Sequence, residues 1–317
     1  MILVTGAAGF IGQHLVYELV RENYEVGVLI NKTPTPARWL NVRPIKIFTV
    51  DISKRADFSS IPENIDFEAV FHLAAYIPRR DDFRLFRKCF QVNCTGTNNL
   101  LQFCLERGVK KVINSSTVSV YGENNPKFCK PGEDTPLHPS TYYGISKLMG
   151  ELLCERFSKI SNSTAISLRY SSVYGAGQNP TTVVPIFVNR ACSNKGLVIF
   201  GEGARVQDFV YVNDVVGANL NALRLHAEGV FNIGSGTGAN MLTLAETTIR
   251  VFESKSKITL DKGKEENASG VIMDISKAQK VLGYKVNCDL ESGLADYRRV
   301  LVKKEQSAKG TSYRGRF

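Results

Sequence analysis

Two side chains that could move a proton lie four positions apart, Tyr143 and Lys147 in the segment Tyr-Gly-Ile-Ser-Lys. Side chains with this spacing share one face of a helix. A phenol with a pKa of about 10 is a poor base at neutral pH, but a nearby ammonium group and a cationic ring would both favour the phenolate. The phenolate could then take a proton from a hydroxyl group while a hydride leaves the carbon that carries this hydroxyl. Tyr142 lies five positions from Lys147, so we expect it to project elsewhere and to pack.

A glycine-rich segment near the start of the chain could hold the acceptor of that hydride. Residues 6 to 12 read Gly-Ala-Ala-Gly-Phe-Ile-Gly and directly follow the apolar run Ile2-Leu3-Val4-Thr5. Glycines at these positions permit a tight turn, a close approach of the backbone to a pyrophosphate, and packing of a helix on a strand. The N-terminus of the following helix would present free N–H groups to the phosphates. We therefore expect Gly6, Gly9, Phe10, Ile11 and Gly12 to bind a dinucleotide.

The elements that would position these residues alternate along the first half of the chain. Short β-branched runs recur at 2–5, 26–30, 45–50, 69–73, 111–114 and 165–168, and segments with helical spacing lie between them, as at 10–21, 83–106 and 141–158. Continuous apolar strands separated by helices are typical of a parallel sheet that is covered on both faces. The sequence thus predicts an α/β fold with a doubly wound parallel sheet of the Rossmann type.

The motifs together resemble the extended short-chain dehydrogenases/reductases, the NAD(P)-dependent sugar-nucleotide epimerase/dehydratase group that includes enzymes like UDP-glucose 4-epimerase. The resemblance covers nearly the whole chain in order, through residues 5–12, 72–75, 92–97, 115–122, 143–147, 168–178, 274–278 and 282–284. It implies that Tyr143 and Lys147 also contact the cofactor. It further implies that Asp51 and Ile52 border the adenine, and that Leu73, Ala74 and Ala75 border the central part of the cofactor. Asn93 would border the sheet behind the cofactor, and Tyr170 would belong to the same cofactor site.

The choice between NAD and NADP depends on the end of the second strand. A carboxylate about 20 residues beyond the glycine turn would accept hydrogen bonds from the ribose of NAD. This strand instead ends in Asn31 and Lys32, which, with Arg38, could meet a 2′-phosphate. Lys32 could equally be a solvated loop residue. We therefore expect NAD or NADP, with a slight preference for NADP or dual use.

The resemblance also supplies a third catalytic residue. The family's hydroxyl lies five residues before the glycine of its Val-Tyr-Gly motif, which is Thr117 here, and Ser115 and Ser116 compete for the role. Thr117 would donate a hydrogen bond to the reacting oxygen. The next two positions, at the substrate, carry an acidic pair in the family's 4,6-dehydratases. They are Val118 and Ser119 here and cannot transfer those protons, so dehydration is disfavoured.

The substrate-binding half departs from the family pattern. Gln207 stands where relatives place an arginine that clamps a nucleotide diphosphate, and Arg205 two residues earlier could replace it. A second family arginine corresponds to Lys264, and a family asparagine corresponds to Ser172. Lysine keeps the charge but lacks the planar fork of a guanidinium group. Glutamine at position 207 loses the charge, but Arg205 and Lys264 still supply two cations. A nucleotide sugar therefore remains the expected substrate.

Beyond Tyr174 the alternation of strands and helices becomes less regular. We expect a dinucleotide-binding domain over residues 1–174, with returns near 209–233, and a smaller, interleaved C-terminal substrate lobe over 175–305. Residues 306–317 lack apolar periodicity, so we expect a basic, disordered tail there.

Composition limits the classes of protein that remain. Hydrophobic residues at 43% and charged residues at 22% are typical of a globular chain, and the net charge of +10 favours acidic partners. Seven cysteines without a Cys-x-x-Cys pair and four scattered histidines predict neither a metal site nor a disulfide framework. The sequence opens on the first predicted strand, so we expect no secretory signal, and we find no apolar run long enough to span a bilayer and no basic stripe that fits a nucleic acid. We expect a cytoplasmic protein that binds neither membranes nor nucleic acids and, by analogy with the family, forms a homodimer through the helices at 83–106 and 141–158.

Three functions fit these residues. An epimerase would oxidise a nucleotide sugar to a transient ketone and return the hydride. A carbonyl or keto-sugar reductase acting on a non-nucleotide substrate would instead consume NADPH. A cofactor sensor without turnover is disfavoured, because a sensor has no use for Thr117, Tyr143 and Lys147 as a proton relay.

Overall fold

The computed structural model describes residues 1–31, 36, 39, 45–78, 80–122, 130–264, 266 and 270–311, and gives only the backbone of 304, 305 and 307–311. The strands are β1 (Ile2–Thr5), β2 (Val26–Ile30), β3 (Ile45–Thr49), β4 (Ala69–His72), β5 (Lys111–Thr117), β6 (Thr164–Tyr170), β7 (Ser172–Tyr174), β8 (Leu197–Phe200), β9 (Val206–Gln207), β10 (Phe209–Tyr211), β11 (Gly229–Ile233), β12 (Ala239–Asn240) and β13 (Ile258–Asp261). The α-helices are α1 (Phe10–Arg21), α2 (Phe83–Cys89), α3 (Gly96–Glu106), α4 (Tyr142–Ile160), α5 (Val183–Cys192), α6 (Val212–Arg224), α7 (Met241–Val251), α8 (Ser276–Leu282) and α9 (Leu290–Thr311).

A seven-stranded sheet forms the centre of the described part of the chain, in the order β11-β6-β5-β4-β1-β2-β3. All neighbouring strands in it are parallel. Every residue of β1, β2 and β4 is buried, as the continuous apolar runs predict for strands covered on both faces. The predicted doubly wound parallel sheet is therefore confirmed.

Helices cover both faces of this sheet. On one face, apolar side chains of α1, α6 and α8 pack on the sheet around Leu15, Val16 and Phe231. On the other face, α3 and α4 pack on it through Leu100, Phe103 and Phe157. Between α2 and α3, residues Phe90–Thr95 form a wider, π-helical turn, so that the predicted helix at 83–106 is continuous but locally irregular.

The chain reverses its winding direction between β1 and β4. From β1 the sheet grows outward through β2 and β3, and it then resumes on the other side with β4, β5 and β6. In such sheets ligands bind in the crevice beyond the carboxyl ends of the strands at this switch point. The predicted cofactor residues that follow β1 and β4 lie at this crevice.

A separate hydrophobic cluster lies under the second half of the chain. It is formed by α5, α7 and α9, with Phe187, Leu244 and Leu294 among its buried residues. Three two-stranded pieces of the described chain accompany it, β7 with β10, β8 with β13, and β9 with β12. The chain returns to the large sheet at α6 and β11, within the segment 209–233.

The end of the chain differs from expectation. Helix α9 continues to Thr311, so residues 306–311 are helical where we expected a disordered tail. Gln306, Ala308 and Lys309 in this segment are good helix formers and extend a helix that is already nucleated, even without an apolar face. Residues 312–317 lie outside the described residues.

None of the described helices has the length and apolar character needed to cross a membrane.

Candidate active site

The glycine-rich turn between β1 and α1 is built for close approach. Gly6 has a φ of 64°, and a Cβ added to it would lie 2.6 Å from the backbone nitrogen of Ala74. A Cβ on Gly12 would lie 2.3 Å from the carbonyl oxygen of Gly6. Gly9 caps α1 without a side-chain hydrogen bond, and the first turn of α1 contains no acidic residue. The N–H groups of this turn and the positive end of the helix dipole therefore face the crevice and fit a dinucleotide pyrophosphate.

A buried histidine, which the sequence did not single out, joins this turn to the next strand. His72 Nδ1 lies 2.9 Å from Thr5 Oγ1, and its Nε2 lies 2.9 Å from Thr97 Oγ1. The Thr97 hydroxyl donates to the carbonyl of Asn93 at 2.6 Å, so it must accept from Nε2–H, which leaves Nδ1 to accept from Thr5. Burial lowers the pKa of His72 to about 3, with the cation of Lys147 acting in the same direction. His72 is thus neutral, carries its proton on Nε2, and links Thr5 to Thr97 through hydrogen bonds.

Asn93 extends this connection to α4. Its Nδ2 donates to the carbonyl of Tyr76 at 3.0 Å and to Ser146 Oγ at 2.9 Å, and its Oδ1 accepts from the backbone N–H of Tyr76 at 2.7 Å. Ser146 Oγ in turn donates to the carbonyl of Tyr143 at 2.8 Å. We expected Asn93 to border the sheet, but it lies in the π-helical turn and fixes the loop after β4 to α4. Leu73, Ala74 and Ala75 lie in this loop, where they can line a cofactor.

Thr117 is the last residue of β5 and lies beside the start of α4. Its Oγ1 accepts from the backbone N–H of Ser119 at 3.2 Å and lies 3.3 Å from Ser119 Oγ. A Cβ added to Gly144 would lie 2.6 Å from the carbonyl oxygen of Ser119. The residue next to Tyr143 must therefore be this small for α4 to approach the turn at 118–121. Val118 and Ser119 lie in that turn, and Ser115 Oγ is occupied by a hydrogen bond to the carbonyl of His72.

Tyr143 and Lys147 lie in the first turns of α4, which begins after Thr141 as a side-chain N-cap. The ammonium group of Lys147 is in a side chain only 4% exposed, and it makes no hydrogen bond or ion pair with the described residues. A buried cation without such a partner fits a site that a ligand completes. Among the same residues, no hydrogen bond joins the Tyr143 hydroxyl to Thr117 or Lys147. Catalytic contacts of this kind often tighten only when the ligands bind.

Burial shifts the pKa values of Tyr143 and Lys147 away from the charged forms of both side chains. It lowers the pKa of Lys147 to about 8, although the thiols of Cys154 and Cys94 and the carboxylate of Glu151 act in the opposite direction. It raises the pKa of Tyr143 above its ordinary value, and the nearby Cys89 thiol adds to this. In the ligand-free protein the phenol is therefore neutral at pH 7, and a phenolate needs additional positive charge from bound ligands.

A buried ion pair supports the catalytic strand and helix from behind. Glu151, one turn after Lys147, binds Arg169 of β6 through two hydrogen bonds of 2.8 and 3.0 Å, and both side chains are almost fully buried. Glu151 also accepts from Ser116 Oγ on β5. Arg169 donates to the Tyr121 hydroxyl at 2.8 Å. Ser116 is thereby assigned to this supporting network, which leaves Thr117 as the hydroxyl at the strand end.

The expected adenine end of the site contains a carboxylate, Asp51, which the family resemblance predicts to border the adenine. Asp51 follows β3, and the Asn31 side chain at the end of β2 donates a hydrogen bond to it. Ser53 donates two more, at 2.7 and 3.0 Å, and these hydrogen bonds hold the pKa of Asp51 below its ordinary value despite partial burial. The buried Ile52 follows and accepts a hydrogen bond from Asn99 through its carbonyl. Lys32 and Arg38 lie outside the described residues.

Two of the predicted substrate residues line one cavity. Arg205 and Gln207 border a space of about 420 Å³ together with Phe187, Arg190, Phe200 and Glu266. Lys264 does not line it but lies 4.3 Å from the centre of the Phe200 ring, with its ammonium group 3.5 Å from Asp261. Ser172 begins β7, next to Arg169 and Tyr170 at the end of β6. Arg205 is therefore the predicted cation that the structure brings to the cavity.

Two tyrosines near the site have packing roles. Tyr170 is buried in the core, and its hydroxyl donates to Asn219 at 2.9 Å, so its contribution to a cofactor site would be indirect. Tyr142 packs against Phe86 with ring centres 5.1 Å apart, away from Lys147, as its spacing predicts. Within the described ranges, no group of three or more His, Cys, Asp or Glu side chains is arranged to hold a metal ion.

The sequence and the structure both match known proteins. Residues 2–234 match the model of the NAD dependent epimerase/dehydratase family. The chain is 30% identical to the dTDP-4-dehydro-6-deoxyglucose reductase of Escherichia coli, over 92% of this chain and 95% of that protein. The structure resembles that of a UDP-glucose 4-epimerase from Thermotoga maritima with UDP-glucose, with a TM-score of 0.86 and 34% identity over 95% and 99% of the two chains.

A second solved structure carries the cofactor as well. A variant of the UDP-glucuronic acid 4-epimerase from Bacillus cereus, in complex with a fluorinated UDP-glucuronic acid and NAD, is 31% identical. Its TM-score is 0.82, and the match covers 95% of this chain and 99% of that chain. The chain belongs to the NAD-dependent epimerase/dehydratase family, and it is an enzyme of the extended short-chain dehydrogenase/reductase type.

Proposed function

We propose that the chain is an epimerase of a nucleotide sugar that oxidises a sugar hydroxyl to a ketone and reduces the ketone from its other face. The observation that carries the proposal is the approach of α4 to the end of β5 beside the glycine turn. This approach brings the first turns of α4, which carry Tyr143 and Lys147, against the turn that follows Thr117, and so supports a shared role for the three residues. Solved relatives that resemble the chain over 95% of its length act on UDP-sugars, and their substrate class supports the same class here.

Each of the three residues has a separate task in this reaction. Tyr143 takes the proton of the sugar hydroxyl and later returns it to the ketone oxygen. Lys147, as a cation, favours the phenolate form of Tyr143 and is free to bind a cofactor hydroxyl. Thr117 donates a hydrogen bond to the reacting oxygen as its charge develops. The nicotinamide ring of the bound cofactor supplies the site that accepts and returns the hydride.

We infer that the cofactor is NAD. The comparisons give the slight preference for NADP no support, since the structure of the Bacillus cereus relative contains NAD. In addition, Asp51 places a carboxylate next to Asn31 at the end of β2. A carboxylate there can accept hydrogen bonds from ribose hydroxyls and would repel a 2′-phosphate. Dissociation constants for NAD and NADPH, measured by calorimetry, test this preference, and tighter binding of NADPH would contradict it.

A net reduction is the second candidate, because the Escherichia coli relative is a keto-sugar reductase. Val118 and Ser119 disfavour a third option, 4,6-dehydration, which needs an acid and a base at these positions.

The test is a panel of UDP-, GDP-, CDP- and dTDP-sugars, analysed by thermal shift for binding and by NMR for products. Epimerisation predicts a new sugar epimer without net loss of reduced cofactor. Stoichiometric consumption of NADH or NADPH would favour the reductase, and no binding of any nucleotide sugar would contradict the proposal.

We further propose a homodimer that pairs α2, α3 and α4 with their copies in a second chain. These helices leave large apolar side chains exposed, among them Phe83 at 76% and Leu152 at 56%, with Phe90, Ile145 and Met149 near them in the sequence. A face of this kind is usually covered by a partner. The same surface on two subunits can pair around a twofold axis.

A further inference from the structure

The turn after β8 wraps its backbone around a carboxylate. Gly201 and Gly203 have φ angles of 65° and 74°, and these left-handed residues turn successive N–H groups towards one point. The N–H of Arg205 donates to Glu266 Oε1 at 2.5 Å, and the N–H of Glu202 donates to Glu266 Oε2 at 3.2 Å. The N–H groups of Gly203 and Ala204 also donate to this carboxylate. We call the four N–H groups of residues 202–205 the anion nest.

The anion nest adjoins the candidate substrate cavity. Arg205 and Glu266 both line that space of about 420 Å³, as do Thr181 and Val183 near the start of α5. The Nε of Arg205 is buried and has no hydrogen-bond partner in the described structure. A buried guanidinium N–H without a partner costs free energy unless a ligand meets it. The wall of the cavity therefore offers more donors than the two oxygens of Glu266 can use.

Glu266 behaves as an internal anion at this place. The N–H donors, with Arg205 first, hold its pKa below the ordinary value, so the carboxylate remains charged at neutral pH. A phosphate group has more oxygens than a carboxylate and could meet both the nest and the Arg205 Nε. While Glu266 remains, its charge repels any phosphate that approaches Arg205.

We propose that the anion nest and Arg205 form the phosphate-binding part of the substrate cavity, and that Glu266 occupies the nest until a substrate phosphate displaces it. This inference rests on the proposed nucleotide-sugar substrate. It also accounts for Gln207, since backbone N–H groups and Arg205 then supply the donors that an arginine at that position would provide.

The test is the substitution Glu266→Gln in the full chain, studied by titration calorimetry with uridine, UDP and inorganic pyrophosphate. Removal of the competing charge should tighten the binding of UDP and pyrophosphate by about tenfold and leave the binding of uridine within twofold. The matched control is Glu246→Gln, which removes an exposed carboxylate on α7 outside the cavity and should change none of the three affinities.

Unchanged or weaker binding of UDP and pyrophosphate by the Glu266→Gln protein would overturn the proposal, because Glu266 would then be a structural latch of the turn. If this variant does not fold, Arg205→Met decides: a loss of UDP and pyrophosphate affinity with uridine retained supports the site, and unchanged affinities contradict it. Binding of pyrophosphate distinguishes a failure of the anion-nest proposal from a failure of the proposed nucleotide-sugar substrate. If the wild type binds no nucleotide, the proposed substrate fails, but tighter pyrophosphate binding by the Glu266→Gln protein still supports the nest.

Discussion

In the ligand-free protein the Tyr143 phenol is neutral and the Lys147 ammonium group is charged at pH 7. The proposed reaction needs Tyr143 to lose its proton and Lys147 to keep its charge. In the ligand-free protein, burial raises the pKa of the phenol and lowers that of the ammonium group. In the proposed reaction, the phenolate would therefore form only when a positive nicotinamide ring is bound and Lys147 is charged. Such a site protects the base from reacting before both ligands are present, because the phenol stays neutral until then.

Replacement of Tyr143 by phenylalanine removes the base and leaves the ring. We expect kcat to fall by a factor between about 10² and about 10⁴, the range typical of a general base, while the dissociation constant for NAD changes less than threefold. Steady-state kinetics and calorimetry measure the two quantities. Tyr142→Phe is the matched control and should retain most of its activity, since Tyr142 packs on Phe86. Full turnover by the Tyr143→Phe protein would refute the assignment.

The lowered pKa of Lys147 predicts an alkaline limit to activity. Below pH 8 the group is a cation and favours the phenolate, and above about pH 8 it loses its proton. We therefore expect kcat/KM to decline as the pH rises from 8 to 10. In a Lys147→Arg protein the cation persists throughout this range, so its profile should lack the decline even if the activity is lower overall. A wild-type profile that is flat up to pH 10 would contradict this role.

At the residue scale, spacing and family resemblance suggest which groups could carry chemistry, but they do not predict the contacts that hold these groups. Tyr143 and Lys147 follow from spacing, and Thr117 follows from family resemblance. The hydrogen bonds from Thr5 through His72 and Thr97 to Asn93 join residues up to 67 positions apart, and no local pattern encodes such a pairing. The hydrogen bond from Asn31 to Asp51 is another pairing of this kind, since Asn31 follows β2 and Asp51 follows β3.

At the element scale, the local patterns were informative where an element packs on one side and less so at its ends. Helices at 10–21 and 83–106 have the predicted bounds. The π-helical turn at Phe90–Thr95 was not predicted, because it depends on Asn93 reaching both the loop after β4 and α4. Strand β5 continues three residues beyond the predicted end, through Ser115 and Ser116 to Thr117. These residues are polar, but they are buried and each is hydrogen-bonded: Ser115 donates to the carbonyl of His72, Ser116 donates to Glu151, and Thr117 accepts from the N–H of Ser119.

The glycine turn allows a test of the packing between β1 and α1. A methyl group on Gly12 would lie 2.3 Å from the Gly6 carbonyl oxygen, so Gly12→Ala forces α1 away from the turn. We expect a loss of about 1–3 kcal/mol in the free energy of unfolding and weaker binding of NAD. Urea denaturation and calorimetry provide the measurements.

Gly217 in α6 is the control for this change, since a methyl group there meets nothing within 4 Å. Gly217→Ala should stabilise the protein by about 0.5–1 kcal/mol through its higher helix propensity and leave NAD binding unchanged. Equal effects of the two substitutions would show that the close approach at Gly12 does not matter.

For the whole molecule, the net charge of +10 predicted an acidic partner without identifying it. Five basic residues and one acidic residue lie between 303 and 317, so a large share of the excess positive charge belongs to this short segment of the sequence. Within the described cavity wall, Arg190, Arg205 and the anion nest are the features that fit a phosphorylated small molecule. Overall charge is therefore a weaker guide to the ligand than the donors at one cavity.

The proposed dimer predicts a specific dependence on α4. Leu152→Glu places a charge on the exposed apolar face and should convert the dimer to a monomer in analytical ultracentrifugation at micromolar concentration. Tyr17→Glu is the control, because Tyr17 is 62% exposed on α1, which covers the opposite face of the sheet. A wild-type chain that sediments as a monomer, or a Leu152→Glu protein that still sediments as a dimer, would contradict the proposed interface.

The central claim is that the hydride leaves and returns within one active site. The most direct measurement follows a UDP-hexose with the protein and NAD in D₂O by ¹H NMR. The account predicts that the epimer accumulates to equilibrium, that the inverted carbon keeps its original hydrogen, and that no net NADH appears. Deuterium at that carbon would indicate exchange with solvent, and a stoichiometric change in cofactor would indicate net redox chemistry; either result would contradict the account.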